Sequence, residues 1–110
     1  MTNIELNKKL YEKMKEEFQN YHDWIITLPS EEVLNHACEY IVKEDIVYSM
    51  EYNNLNDKQA AAMLRTNAPL NDVYLKWNGW DTGYLEDVWK AVESRANELV
   101  RREQQKEKER

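Results

Sequence analysis

Turn-forming residues are scarce in this chain, which has two glycines and two prolines among its 110 residues. All-β folds need such residues between many short strands, whereas long helices do not. The length suits one core, because two half-sized cores would each be marginally stable. We therefore expect an all-α fold: a compact helical bundle of about five helices, with long N-terminal and C-terminal helices flanking shorter central ones. The expected single helical domain covers residues 1–100.

The first predicted helix covers residues 3–28, where apolar side chains recur at spacings of three and four and so share one face. These side chains are Tyr11, Met14, Phe18, Tyr21, Ile25 and Leu28. Lysines and glutamates, among them Lys13 and Glu17, cover much of the remaining surface. Pro29 marks the end of this helix, because a residue that precedes proline is disfavoured in helical backbone. We expect the apolar face to pack against the rest of the chain.

A second helix is predicted over residues 31–43, with Ser30 as its N-cap, and the helical pattern continues beyond it. Glu31 and Glu32 lie in its first turn, where the helix dipole favours negative charge. Its apolar residues form a broad face: Val33, Leu34, Ala37, Cys38, Ile41 and Val42. Because Cys38 lies on this face, we expect it to be a small buried hydrophobic residue rather than a nucleophile.

Two shorter helices are predicted after an asparagine-rich break. Asn56 is the expected N-cap of a helix over residues 57–65, and the next helix covers residues 70–77. Together they have the outline of a helix-turn-helix motif. A DNA-binding motif of this kind needs basic or amide groups at the start of its second helix, whereas this one begins Leu-Asn-Asp. Phosphate would be repelled there, so we expect no direct binding of nucleic acid.

The last helix is predicted to begin near Thr82 or Tyr84, after an Asn-Gly turn signal. Its expected buried face comprises Leu85, Val88, Trp89, Val92, Ala96 and Leu99. Residues 101–110 contain no apolar side chain. We expect them to form a solvated helix end or a charged tail that is disordered or frayed.

Charge is unevenly distributed along the chain. Residues 16–94 carry 15 acidic and 5 basic groups, while the two ends carry the other 6 acidic and 10 basic groups. An acidic body disfavours attraction to nucleic acid and favours a protein partner with a basic surface. A single cysteine fits a reducing compartment, and no apolar run is long enough to cross a membrane. We therefore expect a cytoplasmic protein that needs no cofactor and binds no membrane.

Three polar residues of the predicted second helix form a weak candidate metal site. Glu32, His36 and Glu39 lie at i, i+4 and i+7, so they would share one face. His22 and Asp23 on the first helix could complete a two-helix site. Such spacings have low specificity, and ordinary solvated side chains are the more common explanation. No phosphate-binding loop or nucleophile elbow occurs, so the sequence predicts a protein that is not an enzyme.

Aromatic side chains cluster around the loop before the last helix, and tryptophan and tyrosine are the residues most often found as interface anchors. Nearby carboxylates would steer a basic partner towards them. The predicted partner-binding residues are Glu31, Glu32, Asp45, Asp81, Asp87, Trp77, Trp80 and Tyr84. The alternative is that these aromatic rings fold over the end of the core.

Four segments carry a resemblance to a known family: LPSEEVLNHACEYIVKEDI, LNDKQAAAML, APLNDVY and VESRANELV. They resemble a small all-helical domain family of unknown function from bacteria, phages and mobile genetic elements, over most of residues 6–100. The resemblance supplies no active site. It implies an origin near phage or mobile-element genes, whose small acidic proteins often act by blocking host defence enzymes.

The function predicted from the sequence is therefore a non-enzymatic, acidic protein-binding module. By analogy, it would be a phage or mobile-element inhibitor, such as an anti-CRISPR protein, that occupies a basic surface of a nucleic-acid-handling protein. Two alternatives stay open. One is a self-associating accessory protein that forms a homodimer through its first helix, and the other is a metal-dependent enzyme that uses Glu32, His36 and Glu39.

Overall fold

A computed structural model describes residues 1–79 and 83–109 of the chain. Within these ranges the backbone forms six α-helices and no strand, so the all-α prediction is confirmed there. The helices are α1 (Asn3–Ile25), α2 (Ser30–Asn35), α3 (Ala37–Tyr52), α4 (Asp57–Leu64), α5 (Pro69–Asn78) and α6 (Tyr84–Lys108). They fall into two units, Met1–Gly79 with α1–α5 and Trp80–Arg110 with α6. No described helix is long and apolar enough to cross a membrane.

The prediction of one compact bundle that includes the last helix is wrong. The long terminal helices are present, since α1 has 23 residues and α6 has 25, but α6 is the single described helix of its unit. It contains no buried residue, because no other described element of that unit covers its apolar stripe. The face expected to be buried is therefore exposed: Leu85, Val88, Trp89, Val92, Ala96 and Leu99. α6 begins at Tyr84 and continues as a solvated helix end to Lys108.

The core of the first unit forms where α1 packs against α3, α4 and α5. Leu10 and Met14 on α1 and Leu70 on α5 have no exposed surface, and Val47 on α3 packs with them. Burial of an apolar side chain of this size contributes about 1.5–3 kcal/mol relative to exposure. The apolar face of α1 is thus occupied by its own chain.

Polar residues of α1 hold the ends of α4 in place. Asn7 is buried, and its Nδ2 donates to the carbonyl oxygen of Leu55 at 3.0 Å while its Oδ1 accepts from the Leu55 N–H at 2.9 Å. Lys13 Nζ donates to the carbonyl oxygens of Leu64 at 2.9 Å and Thr66 at 2.5 Å. Carbonyls at the end of a helix have no helical partner, so the lysine satisfies groups that would otherwise need water.

The N-terminus of α5 is capped by a residue from another helix. Ala68 at the N-cap position has no side chain that could accept a hydrogen bond. Instead, the Glu17 carboxylate on α1 accepts from the backbone N–H of Leu70 at 3.0 Å and of Asn71 at 2.9 Å. The first N–H groups of a helix lack helical partners and carry partial positive charge, which favours a carboxylate there. Glu17 is therefore a tertiary cap rather than a residue of a solvated face.

The predicted second helix is two helices, because the backbone breaks at His36 between α2 and α3. His36 has φ −99° and ψ 3°, and its N–H bonds to the carbonyl oxygen of Val33, three residues back rather than four. Its ring packs edge-on against Trp24 on α1, with ring centroids 5.2 Å apart. The break changes which residues of the following helix face the core. Cys38, expected to be buried, is exposed, whereas Lys43 is buried.

One of the predicted helix caps is confirmed, and two predicted helix boundaries differ from the structure. Asn56 caps α4 as predicted: its side chain accepts from the Gln59 N–H at 2.9 Å, and the Gln59 side chain accepts from the Asn56 N–H at 3.0 Å. α1 ends at Ile25, three residues earlier than predicted. The prediction of Ser30 as an N-cap is wrong, because α2 already begins at Ser30 and Pro29 occupies the capping position.

Candidate protein-binding groove

An apolar groove lies on the first unit, between the C-terminal turns of α1 and the corner where α2 meets α3. Its lining residues are His22, Ile25, Ile26, Val33, Leu34, Ala37, Tyr40 and Ile41. The groove has a volume of about 330 Å³ and is open to solvent. Ile26, Leu34 and Ile41 are 64%, 72% and 58% exposed. Large apolar side chains that share one concave, exposed surface are typical of contact sites for other molecules.

Stacked aromatic rings hold one wall of the groove. The Tyr40 ring stacks on Tyr21 of α1, with centroids 6.3 Å apart and an angle of 29° between the planes. The Phe18 ring centroid lies 5.0 Å from that of Tyr40, and the His22 ring centroid lies 6.0 Å from it. Aromatic pairs at such separations have preferred geometries and contribute beyond the area that they bury. The wall is therefore positioned by the rings of α1.

A partly buried ionic cluster contacts the Tyr21 ring of this wall. The Tyr21 hydroxyl donates to Oε2 of Glu39 at 2.5 Å. Lys43 Nζ lies 4.0 Å from the centroid of the Tyr21 ring and 3.8 Å from Oε1 of Glu39. It also lies 5.5 Å from the centroid of the Tyr74 ring on α5, and His36 Nδ1 is 3.5 Å from Oε2 of Glu39. Because a buried charge is costly unless it is paired, the carboxylate and the two rings explain how Lys43 is accommodated.

The same cluster changes the acidity of two tyrosines. Burial, together with the hydrogen bond to Glu39 and the charge of that carboxylate, raises the pKa of the Tyr21 hydroxyl far above its usual value. Burial, reinforced by the Glu39 charge, also raises the pKa of Tyr74. Both hydroxyls therefore stay protonated at neutral pH, so the cluster is suited to positioning the groove wall rather than to accepting a proton.

The stretch of sequence that contains the groove residues is rich in carboxylates. Residues 19–45 carry six acidic side chains and one lysine. That lysine is Lys43, which is turned into the cluster beside Glu39. The other five carboxylates are exposed: Asp23, Glu31, Glu32, Glu44 and Asp45. The two segments that line the groove therefore carry exposed carboxylates, and the one lysine among residues 19–45 lies in the cluster instead of beside them.

The exposed carboxylates are almost free of ion pairs. Among the described residues, Asp23 alone of these five lies within ion-pair distance of a basic side chain, the His22 ring at 3.3 Å. The hydrogen bond from Gln19 and the one with His22 lower the pKa of the Asp23 carboxyl, which keeps it ionised. Glu44 and Asp45 follow the groove residues Tyr40 and Ile41 at a spacing of four, so they lie one helical turn beyond them on α3.

The other predicted partner-binding residues belong to other segments of the chain. Asp87 lies in the first turn of α6, and Tyr84 is the first residue of that helix, so both belong to the second unit. Trp77 is half-buried on α5, where its ring stacks on that of Tyr74 with the ring centroids 6.4 Å apart. Trp80 and Asp81 lie outside the residues that the structure describes.

In the described part of the chain, the three residues of the weak metal-site alternative do not form a group that could hold a metal ion. No group of three histidine, cysteine or acidic side chains there is close enough to hold a metal ion. The break at His36 places Glu32 on α2 and Glu39 on α3, so the spacing of one continuous helix no longer applies. His36 and Glu39 do approach each other, but the Glu39 carboxylate is already bonded to the Tyr21 hydroxyl.

The groove itself is a feature that the sequence analysis missed. Leu34 and Ile41 were assigned to a core-facing side, and Ile26 was not singled out. A signal was present, because the apolar residues of segment 33–42 cover a wider arc than one packed face requires. An apolar arc of that width leaves part of the helix surface uncovered once the neighbouring helices have packed against the rest.

Comparison with known proteins identifies a family. The chain matches DUF3848, a family described as protein of unknown function, over residues 6–100. Neither the curated proteins nor the solved structures contain a match to this chain. The matched range includes most of α1, all of α2–α5 and α6 as far as residue 100. Because the match extends over most of the sequence, the chain belongs to the DUF3848 family of proteins of unknown function.

Proposed function

We propose that this protein is a binding module that docks on a basic surface of a partner protein through the groove between α1 and the α2–α3 corner. One observation carries the proposal: exposed apolar side chains line a groove whose neighbouring carboxylates are exposed and largely unpaired. Apolar contact would supply affinity, and the negative charge would select and steer a basic partner.

The groove favours a protein partner over nucleic acid. The carboxylates at residues 31, 32, 44 and 45 would repel phosphate, and the groove residues themselves offer no lysine or arginine. The helix-turn-helix outline of α4 and α5 gives no better site. The Glu17 carboxylate occupies the N-terminus of α5, where a DNA-binding helix would approach the phosphate backbone.

The partner that best suits this surface is a protein that handles nucleic acid, since such proteins carry basic surfaces for phosphate. Occupying that surface would exclude the nucleic acid and inhibit the partner. This makes an inhibitor encoded by a phage or mobile element, in the manner of anti-CRISPR proteins, the finer form of the proposal. It draws on the acidic charge of the groove and on the family resemblance, which is analogy rather than chemistry.

Affinity capture with matched variants tests the proposal. Ile41→Asp adds a charge inside the groove, and Leu75→Asp adds the same charge on α5 at a side chain that is equally exposed, at 58%. We expect at least one host protein that is retained by the wild-type chain and by Leu75→Asp but is lost with Ile41→Asp. Charge reversal at Glu31, Glu32 and Asp45 should release the same protein. Retention of identical sets of proteins by all variants would refute the proposal.

A further inference from the structure

We infer that the groove takes a basic amphipathic α-helix, which inserts two large apolar side chains about one helical turn apart and places lysines or arginines on either side of them. This inference rests on the proposed function and names the chemistry of the partner at the same site. It is carried by the shape of the groove, its volume and the position of the acidic residues around it.

The shape favours a helix as the occupant. One side of the groove is the last turns of α1, with His22, Ile25 and Ile26 at i, i+3 and i+4. The other side is the α2–α3 corner, where Ala37, Tyr40 and Ile41 repeat that spacing. Ridges of this kind on two helices leave a furrow into which side chains of a third helix pack. Binding of an amphipathic helix in an apolar groove is a recurrent mode of peptide recognition.

The volume limits the number of side chains that enter. A cavity of roughly 150 Å³ holds one benzene ring, and this groove measures about 330 Å³. It therefore accommodates about two large apolar side chains rather than a long continuous stripe. On a helix, two such side chains meet one groove when they are three or four residues apart.

The acidic residues near the groove indicate which charges the partner helix carries beside its two inserted side chains. Glu44 and Asp45 follow the groove residues on α3, whereas Glu31 and Glu32 precede them on α2. Asp23 adds a further carboxylate beside the α1 side. Acidic groups thus stand before and after the apolar lining in the chain, and basic residues on both sides of the two inserted side chains would complement them. A second copy docked through this same face is disfavoured, because a symmetric contact would bring these carboxylates against their counterparts.

Designed peptides test the inference directly with the full-length protein. The first probe is a helical peptide of about 18 residues, long enough for several turns, with two leucines four residues apart and lysine and arginine elsewhere on that face. The second replaces both leucines with alanine, and the third replaces the basic residues with glutamate. Each carries a fluorophore, and anisotropy gives its dissociation constant with the wild-type chain, Ile41→Asp and Leu75→Asp.

We expect the first peptide to bind the wild-type chain and Leu75→Asp equally. The first peptide should bind Ile41→Asp about tenfold more weakly or worse than it binds the wild-type chain. The alanine peptide should bind the wild-type chain more weakly than the first peptide by a similar factor, since truncated anchors at the centre of a contact have effects of this size. The acidic peptide should bind at least about tenfold more weakly, and raising the salt concentration should narrow that difference. Circular dichroism of the variants verifies that each remains folded.

Several results would overturn the inference. These are no binding of the basic peptide, equal binding of the acidic peptide, or binding that Ile41→Asp leaves unchanged. Sedimentation showing that the wild-type chain pairs with itself and that Ile41→Asp prevents pairing would also overturn it, in favour of a second copy. If a captured host protein depends on the groove but contacts it through a basic strand or loop, the proposed function survives and this inference fails.

Discussion

The hydroxyl of Tyr21 on α1 donates a hydrogen bond of 2.5 Å to Oε2 of Glu39 on α3. This bond joins the two helices that form the sides of the groove. On one side of the pair, the Tyr21 ring stacks on Tyr40, which lines the groove. On the other side, Lys43 lies against both the ring and the carboxylate. The polar cluster in the first unit therefore positions the ring of Tyr40, a residue that lines the groove.

Tyr21→Phe removes this bond while it keeps the ring. We expect the free energy of unfolding to fall by about 1–2 kcal/mol, because the bond is made to an ionised carboxylate that is only partly exposed. Chemical denaturation measures the change. Tyr84→Phe, at an exposed position on α6, serves as the control and should leave the value unchanged. An unchanged value for Tyr21→Phe as well would mean that the bond does not contribute to stability.

The raised pKa of Tyr21 predicts how stability depends on alkaline pH. A group whose pKa is higher in the folded state contributes stability that is fully present below its unfolded value, about 10 for tyrosine. That contribution is lost as the pH rises above 10 towards the raised folded pKa, because the unfolded chain releases the proton first. Unfolding free energies measured between pH 8 and 11 should therefore decline at the alkaline end. Tyr21→Phe should decline less steeply, and an identical slope would contradict the assignment.

Glu17 is expected to stabilise α5 from outside that helix. Glu17→Ala removes the acceptor for the N–H groups of Leu70 and Asn71 and should cost about 1–2 kcal/mol, the usual range for loss of a cap. Glu17→Gln keeps one carbonyl acceptor without the charge, so its free energy of unfolding should lie between those of the wild-type chain and Glu17→Ala. Glu16→Ala, at the exposed neighbouring position, is the matched control. Equal stability of Glu16→Ala and Glu17→Ala in thermal or chemical denaturation would rule out the capping role.

Substitution of Asn7 should destabilise the fold more than substitution of most other polar residues. Asn7→Ala leaves the N–H of Leu55 without its partner in a partly buried place, whereas the Leu55 carbonyl keeps the hydrogen bond that Asn3 Nδ2 donates at 3.1 Å. We expect the free energy of unfolding to fall by about 1–3 kcal/mol, the cost of one unsatisfied donor in such a place. Asn20→Ala on the exposed side of the same helix controls for the change in helix propensity. Hydrogen exchange at the Leu55 amide should accelerate in Asn7→Ala and stay slow in Asn20→Ala.

Local signals in the sequence predicted local features of the fold. The all-helical class, the N-cap at Asn56 and the start of α6 at Tyr84 depend on turn chemistry and composition, which act within a few residues. The break at His36 had no comparable signal, because neither glycine nor proline marks it. Its ring contact with Trp24 on another helix shows that tertiary packing is involved.

The wrong assignments concern which face of a helix is buried. Cys38 and Ile41 are apolar yet exposed, whereas Lys43 is buried because the Glu39 carboxylate and two tyrosine rings from other helices surround it. Glu39 lies one turn before Lys43 on the same helix, but the two tyrosines are far from Lys43 in sequence, so periodicity within one helix could not reveal the rings. Glu17 was missed for the same reason, since its partners lie more than fifty residues away. The wide apolar arc of residues 33–42 indicates surplus apolar surface, but the position of the groove depends on these tertiary contacts and could not be predicted from the pattern.

The most direct test of the groove is the affinity of a captured partner for two variants that carry the same added charge at different positions. Titration calorimetry of that partner with Ile41→Asp and Leu75→Asp compares the groove with an equally exposed position on α5. We predict that Ile41→Asp binds about tenfold more weakly or worse, while Leu75→Asp matches the wild-type chain. Equal affinities for the two variants would contradict the groove as the binding site.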